Sequence, residues 1–146
     1  MAINFLKADV AFAPKQKNIL RQWIFDVTHT HHCKIEQIDF IFCSDEYLLN
    51  MNQQYLAHDT FTDIITFDYT EPSKAVSKAI IGEIYISIER VKENAKTFKT
   101  SYVNELHRVI IHGVLHLCGF KDKKAAEQVE MRAQEDRALK ALESII

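Results

Sequence analysis

Glycine and proline are scarce, with 3 and 2 copies in 146 residues. So few turn-formers exclude collagenous and low-complexity chains and argue against a small, many-turned β fold, leaving long helices and few strands. No apolar run exceeds four residues, against the roughly 20 needed to cross a bilayer. The first residues also lack a basic stretch followed by a signal-type apolar core, so a cytoplasmic location is expected. Cysteine is limited to Cys33, Cys43 and Cys118. An odd count with no regular spacing suits buried thiols in a reducing compartment, without disulfides. Neither sign of charge dominates: 18 basic and 20 acidic residues leave a formal net charge of −2. With no overall positive field, any nucleic-acid role must rest on local chemistry.

What is present suits one domain spanning residues 1–146, with 47% hydrophobic and 26% charged residues. A chain of this size buries about two thirds of its unfolded surface, so a bound metal is expected to serve chemistry and not stability. Residues Ile3 to Leu6 read as a first strand. Pro14 stands where a helix can begin, and Ile19, Leu20, Trp23, Ile24 and Val27 recur at helical spacing. Residues Ile35 to Cys43 read as a central strand, followed by a Ser44/Asp45 cap and a short helix through Tyr55. Asp63 to Tyr69 and Ala79 to Ile88 are β-branched and aromatic and suit a hairpin with a long loop through Pro72 and Ser73. Three further helices follow: Glu89 to Lys99, Ser101 to about Cys118, and residues 123–143 with a charged outer face. The expected class is α+β, a roughly four-stranded mixed sheet with helices packed on it and a metal site on a central buried helix.

Chemistry concentrates in NELHRVIIHGVLHLCGFKD, residues 104–122. On a helix Glu105, Arg108, His112 and His116 share one face, while Val109, Ile110, Ile111, Val114, Leu115 and Leu117 cover most of the remaining circumference. A polar stripe on an otherwise apolar helix must face a cavity, a partner or a metal. His107 lies off the stripe and is expected to be exposed. Histidines four residues apart stand one turn from each other and can share a cation. Gly119 ends the helix, and Asp122 follows where a returning loop can bring a carboxylate. Two nitrogens and one oxygen leave a coordination position open for water, the layout of a catalytic zinc.

IHGVLHLCGF, residues 111–120, resembles the signature of the YbeY endoribonuclease family, His-Gly-x-Leu-His-Leu-x-Gly followed by an aromatic residue. LLNMNQQYLAHDTFTDIITF, residues 48–67, is similar to the family's Leu-Asn, Tyr, Thr-Asp and Ser/Thr-Phe block, and Ile81-Gly82-Glu83-Ile84-Tyr85-Ile86-Ser87 resembles its Gly-Asp/Glu-Ile-x-Ile-Ser strand. The resemblance implies a metal-dependent, single-strand-specific endoribonuclease that matures the 3′ end of 16S ribosomal RNA and takes part in ribosome quality control. It implies single-stranded ribosomal RNA and the small ribosomal subunit or its associated proteins as partners, and Zn2+ as cofactor. The first two metal ligands carry over to His112 and His116. The third falls on Asp122, where the family usually has histidine, and Lys121 precedes it where aspartate is usual. A carboxylate is harder than imidazole, so other divalent metals become admissible. Leu56 follows Tyr55 where many members have arginine, and Arg108 is a candidate replacement, able to clamp a phosphate or stabilise the transition state. The competing reading of Arg108 is an ion pair with Glu105 or Asp63.

No general base stands out. Zinc peptidases place a glutamate directly after the first histidine, a position held here by Gly113, which is expected instead to let a neighbouring backbone approach. Asp63 and Glu83 are weaker base candidates. The alternative to an enzyme is a non-catalytic ribosome assembly or RNA-binding factor with a degenerate metal site, and a peptidase or other small-substrate hydrolase is the third reading. His29, His31, His32 and Cys33 look metal-rich but fit a surface turn better. Thr62 and Asp63 suit strand anchoring, and Phe61, Phe67 and Tyr69 suit sheet packing. Lys74, Lys78, Arg90, Lys92, Lys96, Lys99 and Arg108 outnumber the nearby acids and offer the best RNA-facing surface in the sequence.

Overall fold

The computed structural model describes residues 2–56, 62–72 and 78–146. The expectations for Phe61, Ser73 and Lys74 lie outside those residues. Four strands, β1 (Ala2–Lys7), β2 (Cys33–Cys43), β3 (Ile64–Asp68) and β4 (Lys78–Ser87), combine with five helices. The helices are α1 (Lys17–Thr30), α2 (Asp45–Leu56), α3 (Ile88–Thr97), α4 (Tyr102–Leu117) and α5 (Ala125–Glu143). The strands form one mixed sheet in the order β1-β2-β4-β3. β1 and β4 run parallel to β2, with Ile3 opposite Ile38 and Phe40 opposite Ile84. β3 is the antiparallel edge, with Ile64 opposite Ile86.

Local chemistry explains the helix boundaries. Ser44, Ser87 and Ser101 each accept, through Oγ, a hydrogen bond at 3.1 Å from the backbone N–H three residues on, relieving an unpaired donor of α2, α3 and α4. α1 begins at Lys17 and not at Pro14, because Gln16 adopts φ 57°, a left-handed conformation that no right-handed helix incorporates. At the far end of α4, Gly119 takes φ 108°, and Phe120 N–H donates to Leu115 O at 3.0 Å, the wrap that closes a helix through a left-handed residue.

α4 lies directly on the sheet. Ile80, Ile84 and Ile86 of β4 are fully buried, as are Ile110, Ile111, Val114, Leu115 and Leu117 of α4. Two glycines allow the approach: a Cβ on Gly82 meets Leu117 at 2.8 Å, and one on Gly113 meets Ile64 and Ile84 at 3.0 Å. Gly113 therefore admits side chains, where a neighbouring backbone was expected. α1 packs on β2 beside α4, α5 packs against both helices, and the Trp23 indole N–H donates to Ala138 O on α5 at 2.7 Å. That enclosure buries His107, expected to be exposed, at 9% relative accessibility with its ring edge-on to Trp23. Burial holds its imidazole below the usual basicity. Among the described residues, no helix is long and apolar enough to cross a membrane.

Candidate metal centre

The polar stripe of α4 ends in a cluster of donor atoms. His112 Nε2 and His116 Nε2 are 3.0 Å apart. Asp122 Oδ2, carried in by the loop that Gly119 starts, lies 3.2 Å from each. Among the described residues these three form the only group of histidine, cysteine and acidic side chains disposed to hold an ion. His29, His31, His32 and Cys33 do not form another: His31 sits edge-on to Phe120, and Cys33 is buried at the start of β2. Cys33, Cys43 and Cys118 are free thiols.

His116 Nδ1 is 2.9 Å from Phe120 O, and a carbonyl can only accept, so Nδ1 donates there and, in the neutral tautomer, leaves Nε2 without a hydrogen. His112 Nδ1 is 2.6 Å from Glu135 Oε2. With both Nδ1 atoms directed at acceptors, His112 Nε2, His116 Nε2 and the Asp122 carboxylate oxygen face one another, a set of donors that a cation, or a proton on an imidazole, would bridge. Ligands about 2.0–2.1 Å from a tetrahedral zinc stand roughly 3.3 Å from one another, close to the separations found here. The donor set therefore fits zinc or another divalent ion.

The cluster opens into a cleft of about 670 Å3, walled by Asn52 and Leu56 at the end of α2, by edge strand β3, and by His112, His116 and Lys123. Asp63 lies on the same wall. Burial pushes its carboxyl above the ordinary range, against the opposing pull of His112. Its other atoms have structural work, as the sequence suggested: Asp63 O accepts from Ser87 N–H at 3.0 Å, and Oδ2 accepts from Asn94 Nδ2 at 3.4 Å. Glu83 projects from the opposite side of β4 to Gly82 and Ile84 and accepts from the Tyr69 hydroxyl at 2.8 Å, away from the cleft.

Arg108 shares the stripe but is engaged by α5. Its two terminal nitrogens donate to Glu135 Oε1 at 2.9 Å and Asp136 Oδ1 at 2.7 Å. Its ion-pair partners are thus Glu135 and Asp136 in place of Glu105 or Asp63. Burial alone raises the Glu135 carboxyl, but hydrogen bonds from His112 and Arg108 outweigh it and hold the group below its usual range. For His112 the balance runs the other way, burial being outweighed by the Glu135 bond so that its basicity rises. Sequence reasoning missed Glu135. The one available signal was an acid on a charged helix, which says nothing about the face it turns inward.

Part of the expected basic surface is engaged within the fold. Lys78 donates to Leu117 O at 2.9 Å, Arg90 pairs with Asp45 at 2.8 Å, and Lys92 lies 5.6 Å from the centre of the Tyr102 ring. Lys96 and Lys99 are exposed.

Comparison with known proteins agrees with this geometry. Residues 3–143 match the family described as Endoribonuclease YbeY. A relative named endoribonuclease YbeY from Parabacteroides distasonis is 48% identical over 142 residues, covering 97% of this chain and 96% of its own. Another of that name from Bacteroides fragilis is 45% identical over 139 residues, covering 95% and 96%. The solution structure of TM1509 from Thermotoga maritima superposes with a TM-score of 0.64 at 26% identity, covering 96% of this chain and 88% of that one. With the match running through every strand and helix that frames the cluster, the chain belongs to the endoribonuclease YbeY family.

Proposed function

We propose that residues 1–146 act as one metal-dependent hydrolase domain that cuts single-stranded RNA, with His112, His116 and Asp122 holding Zn2+ or another divalent ion. The observation carrying this reading is the convergence of His112 Nε2, His116 Nε2 and Asp122 Oδ2 within 3.0–3.2 Å at the wall of an open cleft. A divalent ion so held supplies Lewis acidity toward a phosphoryl oxygen and brings the pKa of water toward neutrality. The chain's own groups do the rest. Lys123 on the cleft wall offsets phosphate charge, and edge strand β3 with the end of α2 confines the strand to be cut. Asp63, whose raised carboxyl lies in the same wall, is the residue placed to take up a proton.

Family membership supports ribosomal RNA as substrate, 3′-end maturation of 16S RNA and ribosome quality control as the setting, the small ribosomal subunit as partner, and a cytoplasmic location. A non-catalytic RNA-binding assembly factor is the second reading, favoured by an aspartate where the family usually has its third histidine. A peptidase lacks support, because Gly113 stands where that chemistry places its glutamate.

The test is cleavage of a single-stranded ribosomal RNA fragment by purified protein with zinc or manganese. Metal-dependent cleavage lost in His112→Ala and His116→Ala, both still folded, is the expected result. RNA binding without cleavage under every metal tried favours the assembly factor.

A further inference from the structure

We propose that Glu135 is a positioning residue of this centre, fixing the tautomer of His112, and that Arg108 serves the Glu135 carboxylate and not a phosphate. The inference rests on the reading that His112, His116 and Asp122 hold an ion, and it assigns roles to residues outside that set.

An imidazole binds a metal only through an unprotonated nitrogen, so a ligand histidine needs its single neutral-state proton parked on the other one. The two histidines solve this differently. His116 is served by a backbone carbonyl, Phe120 O, which no side-chain change removes. His112 is served by the side chain of Glu135, at 2.6 Å and 7% exposed. The carboxylate divides its acceptors, Oε2 toward His112 and Oε1 toward Arg108 at 2.9 Å, with Arg132 3.5 Å away. A buried acid needs such cations to stay ionised, and only the ionised form lets both oxygens accept.

Arg108 meets this requirement and is spent by it. Both terminal nitrogens are bonded to α5 acids, and the Arg108 side chain is 18% exposed. The chain Arg108, Glu135, His112 therefore runs from α4 to α5 and back, so that the docking of α5 sets the direction of a ligand on α4.

Glu135→Gln tests the assignment because it preserves shape and removes one acceptor. The amide oxygen cannot serve Arg108 and His112 together. With the oxygen turned to Arg108, the NH2 faces His112 Nδ1 and favours a proton on Nε2, pointing into the metal position. Two readouts apply: the nitrogen-15 NMR tautomer of His112 in metal-free protein, and zinc and cobalt affinity by competition with a chromophoric chelator. In wild type His112 is expected to be Nδ1-protonated. Glu135→Gln should shift the proton toward Nε2 and weaken both metals roughly 10–100-fold, with the circular dichroism of the fold unchanged. Arg108→Gln should weaken binding in the same direction by less. Asp136→Asn should stay within about twofold, since Asp136 touches Arg108 but not Glu135's work.

Wild-type affinity and an Nδ1 proton retained in Glu135→Gln overturn the proposal while leaving the metal reading intact. Should Glu135→Gln fail to fold, an Arg108→Gln protein with unchanged affinity overturns it equally. Wild type that binds neither metal sinks the underlying reading, and this one with it.

Discussion

Two imidazoles and a carboxylate differ from three imidazoles in hardness and in charge, so on the proposed ligand set Asp122 sets which ion is preferred. Oxygen ligands favour harder ions and imidazole favours zinc. Asp122→His is therefore expected to raise zinc affinity relative to manganese, and Asp122→Ala to lose about tenfold or more for both, near 1.4 kcal/mol; chelator competition with each metal reads this directly. His107 offers a second prediction, away from the centre. Its neutral form is favoured by burial, so its folded pKa lies below the ordinary 6.5. As pH falls from 6.5 toward that lowered value, the unfolded chain binds a proton that the folded chain refuses, and stability declines. The contribution is intact above 6.5. His107→Phe should flatten the difference in urea-unfolding free energy between pH 7 and pH 5; an unchanged slope places the acid sensitivity elsewhere.

The contact between α4 and the sheet depends on its two glycines unequally. At Gly113 an alanine methyl meets the ends of Ile64 and Ile84 at 3.0 Å, while helix propensity improves by about 1 kcal/mol, so the two effects partly offset. At Gly82 the methyl lies 2.8 Å from both Leu117 methyl groups and 3.1 Å from Phe67 O, a backbone atom of the neighbouring strand. Gly82→Ala should therefore destabilise by about 1–3 kcal/mol, more than Gly113→Ala, and adding Leu117→Val should recover part of the loss. Thermal melts of the three variants decide this, and no recovery in the double variant means that the strand, not Leu117, bears the strain. These elements were readable in the sequence because their periods are local. Ile80, Ile84 and Ile86 alternate on β4, the His112/His116 stripe repeats on α4, and Gly119 marks its end. The burial of His107 depends on how α1 and α5 dock against α4, a placement that no period encodes. Glu135 was hidden for the same reason: α5 is charged around most of its surface, so the face it presents to Arg108 and His112 is decided by docking. The α1 start was misplaced by a left-handed Gln16, a conformation that glutamine does not advertise.

On the proposed ligand set of His112, His116 and Asp122, the stability of the fold responds to metal. The four groups involved lie on three separate segments: His112 and His116 on α4, Asp122 on the loop beyond Gly119, and Glu135 on α5, itself tied to α1 through the Trp23 bond to Ala138 O. Unfolding scatters all of them, so an ion binds the folded chain in preference to the unfolded one and stabilises it by mass action. At a free zinc concentration about 100 times Kd this amounts to about 2.7 kcal/mol, which for a domain of this size is a rise in Tm of roughly 8–10 °C. Stripping the metal with a chelator should lower Tm by that amount, and restoring zinc should return it. His112→Ala should melt at one temperature with or without zinc, because its ligand set is broken. Glu135→Gln should respond to zinc only at higher concentration, since its ligands remain but one is turned from its task. A chelator-insensitive melt in wild type means that no ion couples to this fold, whereas equal sensitivity in wild type and His112→Ala places the ion at another site.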